Sequence, residues 1–144
     1  MNRVERHTSA TPAQVWSVLS NGWLYASWVV GASRIRNVDH TWPQPGSKIY
    51  HSAGVWPALL NDETESVESK AGLLELSAAG WPFGRARIRM MIEKDGDGSL
   101  IGMEEFVETP PLRWIPPTIQ ETVMSPRLNE CLKRLAMLAE NHAG

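Results

Sequence analysis

A single cysteine, Cys131, excludes an intrachain disulfide and a thiolate metal cluster within one chain. The four histidines lie far apart, so compact zinc spacing is missing as well, and no metal or cofactor is expected. Charge of either sign is scarce and balanced: 14 basic and 16 acidic residues leave a formal charge of −2, with no long run of either. That excludes a protein held to nucleic acid by phosphate neutralisation. The opening residues "MNRVERHTS" carry charge where the apolar core of a signal peptide would have to start, which leads us to expect a cytoplasmic protein. The uncharged stretch from Thr8 to Ser33 is long enough to span a bilayer, but Pro12, Gln14, Asn21, Gly22 and several serines interrupt it, and it reads as buried helices. Phosphate-loop, calcium-loop and nucleophile-elbow spacings fail too: "QPGSK" lacks the glycines, "KDGDGS" lacks the ligand pattern, and Ser52 has no glycine two residues before it. Phenylalanine is nearly absent, with two residues, whereas tryptophan reaches seven. Such large flat side chains fill a core or line a cavity. The chain length suits one domain, 1–144, with one hydrophobic core.

The sequence opens on a short alternating stretch, "NRVERHTS", that can form a strand. Thr11 then stands as a helix cap, with Pro12 at the first helical position and Gln14 where a capping-box partner belongs. Val15, Val18 and Leu19 keep helical spacing until "SNG", where Gly22 is available for a left-handed stop. "WLYASWVVG" makes a second short helix or turn, so Trp16, Trp23, Tyr25 and Trp28 gather at the corner between two helices. From Ser33 onward breakers separate a series of strands: "SRIRNVD", "SKIYHSAGV", "TESVES", "GLLELSA" and the hairpin "RARIRMMIE"/"SLIGMEEFVE" across "KDGDG". In that hairpin Ala86, Ile88, Met90 and Ile92 share one face, while Arg85, Arg87, Arg89 and Glu93 share the solvated one. Met103 and Glu105 lie on the apolar side of the partner strand, which turns Glu105 inward. A rigid "TPPLRWIPP" leads to a helix that Ser125 would cap and Pro126 would open, with a stripe of Leu128, Cys131, Leu132, Leu135, Leu138 and Ala139.

This order of elements is α+β. "TPAQVWSVLSN" followed by "YASWVVG", "PGSKIYHSAGVWP", "ARIRMMIEKDGDGSLIGMEE" and "RLNECLKRLAMLAE" together resemble the START-related, birch-pollen-allergen-like helix-grip superfamily (SRPBCC), and within it the bacterial polyketide cyclase/dehydrase-type proteins. The resemblance implies a curved antiparallel sheet wrapped around a long C-terminal helix, with two short helices near the N-terminus. It also implies a cavity between the concave face and that helix, holding an apolar or aromatic small molecule, in a monomer or homodimer. The candidate lining residues are Trp16, Tyr25, Trp28, Tyr50, Trp56, Trp81, Met90 and Met103, each of which can equally be ordinary core.

Two titratable groups carry the candidate chemistry. His51 shares strand parity with Ile49, Ala53 and Val55 and so faces the cavity, where a histidine moves protons near neutral pH. An inward Glu105 has its pKa raised by desolvation, which suits acid or base work. Together they could serve a cyclisation or dehydration, with Tyr25 or Tyr50 as hydrogen-bond donor. The alternatives are a His51 that bonds a backbone group and a Glu105 that pairs with an arginine. Three functions therefore stand: a carrier, sensor or sequestering protein for a small molecule; a cyclase or dehydratase; and an interaction module that binds a partner through exposed tryptophan loops. The segment from Trp56 to Leu60 reads as an apolar loop at the cavity mouth.

Overall fold

The computed structural model describes residues 2–53, 60–79, 85–109 and 112–141. Strand β1 (Asn2–Thr8) leads into helix α1 (Pro12–Leu19), which begins where the capping signals put it. The Thr11 hydroxyl accepts from the Gln14 backbone N–H at 3.2 Å, and the Gln14 side chain accepts from the Thr11 N–H at 2.8 Å, closing the box. Val15, Val18 and Leu19 are the buried face of α1. A 3-10 turn (Gly22–Leu24) and the single-turn helix α2 (Tyr25–Trp28) follow.

Gly22 corrects one expectation, since its backbone is not left-handed; among the described residues the positive-φ glycines are Gly31, Gly46, Gly72 and Gly96. Its need for a bare Cα is one of space, because a Cβ would stand 2.7 Å from Val38 Cγ1 and 3.2 Å from Ile49 Cγ1. The chain turns its corner directly against the sheet there.

The remaining strands are β2 (Ala32–Val38), β3 (Lys48–Ala53), β4 (Leu60–Lys70), β5 (Leu73–Ala79), β6 (Arg85–Asp95) and β7 (Gly98–Val107). They form one antiparallel seven-stranded curved sheet in the order β1-β7-β6-β5-β4-β3-β2, so chain neighbours pair except where β1 closes on β7. The β6/β7 hairpin pairs Ile88 with Glu105, Met90 with Met103 and Ile92 with Ile101. This register brings the apolar residues of both strands to one side. On that side Ile49, Leu74, Leu76, Ile88, Met90, Ile101 and Met103 are almost fully buried. On the other, Glu75 of β5 lies between Arg87 (3.3 Å) and Arg89 (2.9 Å), and Arg3 of β1 pairs with Glu104 of β7. The arginine ladder is thus neutralised across strands, and Glu75 and Glu104 stay buried beneath their guanidinium partners.

Helix α3 (Pro117–Glu140) corrects the expected start at Pro126, which lies inside the helix. Pro117 takes the first-turn position that suits proline. Among the described side chains of the first turns no buried stripe marks the start: Thr118 and Thr122 are exposed, and so is Ile119. Further along, Leu128, Cys131, Leu132, Leu135, Ala136 and Ala139 are buried, and the helix packs on β1, α1 and α2. The corner tryptophans divide. Trp28 is buried and Trp16 half-buried, while Trp23 stands 57 % exposed. Trp42, in the β2–β3 connection, is buried with Nε1 donating to the Leu19 carbonyl at 3.1 Å, which ties that connection to the end of α1.

Gly98 opens β7 with its Cα against the carbonyl of Thr8 in β1, so an added Cβ collides with backbone; at Gly22 it meets side chains that can shift. Urea unfolding is expected to show Gly22→Ala destabilised by about 1–3 kcal/mol, the usual cost of overpacking, and Gly98→Ala by more. A loss within about 0.5 kcal/mol at either position, as for a neutral surface change, would mean that the close approach is relaxed in solution.

Candidate ligand-binding site

Alternation along β3 puts Ile49 and His51 on the inner side of the sheet and Tyr50 on the outer. In β4 the same alternation turns Thr64 inward between Glu63 and Glu65, and the register sets Thr64 opposite Ile49, one step from His51. His51 Nε2 lies 2.9 Å from Thr64 Oγ1, and Thr64 Oγ1 donates to the Tyr25 hydroxyl at 3.2 Å. A threonine hydroxyl has one proton. That proton can serve Tyr25 or His51 Nε2, according to the tautomer of the imidazole. Nδ1 is buried and has no hydrogen-bond partner among the described residues.

Tyr25 projects from α2 and packs edge-on to Trp28, with ring centroids 5.6 Å apart at 73°, and its ring centroid is also 5.6 Å from that of His51. Burial pushes the Tyr25 phenol up to about 12, against the Thr64 hydrogen bond and the charge of Arg127. Burial lowers the His51 pKa, and Arg36 adds to this, while Asp62 and the Ser52 backbone pull the other way. Both groups are therefore uncharged at neutral pH.

The second cluster faces the first from the helix side. Glu105 of β7 accepts from Arg127 Nη1 of α3 at 2.7 Å, and Arg127 Nε donates to the Val30 carbonyl at 2.9 Å. The Val30 N–H in turn lies 3.3 Å from Cys131 Sγ, so both backbone groups of Val30 are taken up by α3. Burial raises the Glu105 pKa, and the charge and hydrogen bond of Arg127 oppose it. Burial works against the Arg127 guanidinium too, but Glu105, Cys131 and Tyr25 outweigh it and raise its pKa. Burial also pushes the Cys131 thiol up.

His51 and Glu105 thus share the inner side, and Tyr25 touches His51 and senses the charges of Glu105 and Arg127. The two titratable groups have different partners, and no hydrogen bond among the described residues joins them. Tyr25, Trp28, Met90 and Met103 belong to the buried interior. Tyr50 does not: it lies on the face where Lys48 pairs with Glu63 at 2.9 Å, one residue out of phase with His51. Trp16 is half-buried: it packs against the edge of the core and also lines an outer groove. Trp56 and Trp81 lie outside the described residues, as does most of the expected apolar loop, whose last residue, Leu60, begins β4.

Sequence reasoning missed Thr64 and Arg127. Arg127 left a signal, since it stands four residues before Cys131 and so on the apolar stripe of the helix. Thr64 left only a hydroxyl alternating with glutamates.

The outer groove, about 560 Å³, runs along the α1 corner and is lined by Trp16, Trp23, Val38, His40 and Trp42 among others. A second hollow of about 400 Å³ lies between Val18, Leu24, Met137 and Leu138. Among the described residues, no group of acidic, histidine and cysteine side chains could hold a metal ion, and no helix is long and apolar enough to cross a membrane.

The sheet, the long helix against it and the inward polar groups define a helix-grip protein. A sequence profile for polyketide cyclase/dehydrase and lipid transport proteins matches residues 3–140, and the chain belongs to that family. Among curated proteins none matches it. Solved structures share the fold at low identity. Ara h 8.0201 superposes with a TM-score of 0.71 at 12 % identity, over 96 % of this chain and 97 % of its own. A protein of Nitrosomonas europaea gives 0.72 at 16 %, over 96 % and 92 %. The di-domain ARO/CYC StfQ from the steffimycin biosynthetic pathway gives 0.72 at 9 %, over 99 % of this chain and 51 % of that one.

Removing one member of the inner ion pair leaves the other buried and alone. Arg127→Met is expected to cost about 3 kcal/mol in urea unfolding, the low end for a buried pair, because the arginine side chain keeps 31 % of its surface exposed. The double change Glu105→Leu/Arg127→Met is expected to cost less than Arg127→Met alone. A double variant worse than the single one would show that Glu105 is not an uncompensated buried charge once Arg127 is removed.

The His51 effect has a definite sign. With its folded pKa lowered, the unfolded chain takes up the proton first, so its contribution is intact above the ordinary value of 6.5 and is lost as pH falls from there toward the folded pKa. Glu105 acts oppositely: its raised pKa favours the protonated form in the folded state, so acid relieves a penalty there. Between pH of about 7.5 and about 5, His51→Gln is expected to lose less stability than the parent. Equal losses would assign the slope to other groups.

Proposed function

We propose that this protein binds an apolar or aromatic small molecule between the inner side of the sheet and α3, as a carrier, sensor or sequestering module. The observation that supports the reading is the buried His51–Thr64–Tyr25 chain, which places uncharged polar groups among Trp28 and the apolar side chains of the sheet. Binding sites for small molecules have this composition, an apolar wall with a few fixed polar groups. Tyr25, Trp28, Met90 and Met103 would supply the wall and His51 the polar anchor. The protein would work in the cytoplasm as a monomer or homodimer.

A second reading, a cyclase or dehydratase, draws on one specific feature. Burial lowers the His51 pKa, so the imidazole is neutral at neutral pH and able to take a proton, as a general base must. In that reading Glu105, charge-paired to Arg127, would hold the helix in place, and His51 would take the proton.

Mass spectrometry under gentle ionisation of freshly purified protein is expected to show a species heavier than the bare chain that loses a small molecule on activation. Calorimetric titration with naphthalene is expected to saturate, and His51→Ala to leave that apolar affinity within about threefold, since a change of about 1.4 kcal/mol would be needed for tenfold. Only the bare mass, together with no saturable binding, would remove both readings.

A further inference from the structure

The interior takes up Tyr25 and Trp28 but leaves the tryptophans of the outer groove without a role. Trp16, Trp23 and Trp42 come from α1, from the 3-10 turn and from the β2–β3 connection, and they converge on a groove of about 560 Å³. That is the size of a small-molecule site. The segments that carry the rings are fixed. Asn21 Oδ1 accepts from the Trp23 N–H at 3.2 Å, and Trp42 donates its backbone N–H to the Asp39 carbonyl at 2.9 Å and Nε1 to Leu19. Even so, Trp23 stands 57 % exposed. No side-chain cation of the protein occupies these rings: among the described residues the cation placed over a ring is Arg89, above Phe106.

Asp39 gives the groove its charge. Its Oδ2 accepts from the Lys48 backbone N–H at 2.9 Å, and its own N–H donates to the Lys48 carbonyl at 2.9 Å, so the carboxylate is held in place. The ammonium of Lys48 goes elsewhere, to Glu63 at 2.9 Å. Among the described residues no salt bridge reaches Asp39, and neither lysine nor arginine lines the groove. Glu75 and Glu104, beneath their arginines, are in the opposite situation.

An indole draws a cation to its face more strongly than the other aromatic side chains do, and a carboxylate without a counter-ion adds to the pull. A primary ammonium is strongly hydrated and keeps its water in an open groove. Methylation removes the N–H donors that hold this water and gives the cation an apolar skin for the indoles to cover. A phosphate or carboxylate on the same molecule would meet Asp39 with no cation in the lining to receive it. We infer that the outer groove binds a small quaternary ammonium compound without an anionic group, held by the Trp16 and Trp23 rings with Asp39 as counter-charge. The site shares no lining residue with the His51–Thr64–Tyr25 chain or the Arg127 pair, so it stands or falls independently of the interior.

Choline is the probe. Nuclear magnetic resonance titration is expected to shift the indole N–H signals of Trp16 and Trp23 and to leave that of the buried Trp28 in place, the three being assigned through Trp16→Phe, Trp23→Phe and Trp28→Phe. Choline is expected to bind at least about fivefold more tightly than neohexyl alcohol, in which carbon replaces the nitrogen, and by the same margin over ethanolamine and phosphocholine. Asp39→Asn keeps an acceptor for the Lys48 N–H; it is expected to weaken choline at least about threefold while the alcohol stays within about twofold. Trp23→Leu, at an exposed position, is expected to weaken choline by at least about threefold as well. An alcohol as good as choline, or an Asp39→Asn protein that binds choline like the parent, overturns the charge assignment and the inference with it. Ethanolamine binding as tightly would overturn the quaternary centre, and phosphocholine binding as tightly would hand the groove to lipid head groups. A shift at Trp28 in place of the other two, or none at all up to about 100 mM choline, overturns the site itself.

Discussion

The guanidinium of Arg127 reaches from α3 to Glu105 on β7 and, through Nε, to the carbonyl of Val30, so one side chain joins a helix, a strand and the segment that leaves α2. That junction sets where α3, β7 and the turn after α2 meet. Further along α3 the contact with the rest of the molecule is made by Leu132, Leu135, Ala136 and Ala139, aliphatic groups that pack closely. At Arg127 a long polar arm takes their place. A buried ion pair is a weak source of stability, because desolvation offsets most of the attraction. Its strength is geometric: it accepts one arrangement of charge and hydrogen bonds, and alternatives leave a charge alone in the interior.

The two sides of the sheet solve opposite electrostatic problems with the same residue types. Outside, Glu75 and Glu104 are covered by Arg87, Arg89 and Arg3, whose other edges meet water. These cross-strand pairs, half in water through their arginines, let a β6 strand rich in arginine stay neutral against its neighbours. Inside, one ion pair stands among the described residues, and the His51, Thr64 and Tyr25 side chains beside it are uncharged at neutral pH, His51 because burial lowers its pKa. The inner side is therefore selective in a way that the outer is not.

Much of this was legible in the sequence wherever a local rule had one outcome. Thr11, Pro12 and Gln14 named the start of α1, and the alternation of Arg87, Ile88, Arg89 and Met90 gave the two faces of β6. The α+β class follows from the order of such elements, and the helix-grip fold and the family from the resemblance that segments such as "TPAQVWSVLSN" and "RLNECLKRLAMLAE" carry. What escaped depended on contacts between elements. Gly22 was read as a left-handed stop because glycine permits that, but the reason for it is the approach of Val38 and Ile49 from distant strands. Tyr50 and His51 are neighbours in sequence, and only register with β4 says which of them meets Thr64. The onset of α3 was misplaced because Ser125 and Pro126 imitate a helix start, and the true first turns bury too little to show a period.

Pro126 has a mechanical meaning for that helix. Lacking an N–H, it cannot close the ring to the carbonyl of Thr122, so the rod is softest one residue before the arm that grips β7. Bending stress applied to the leading turns is then taken up at this elbow. The trailing half is held by its aliphatic seam, so the two parts of α3 join across a position that lacks one backbone hydrogen bond.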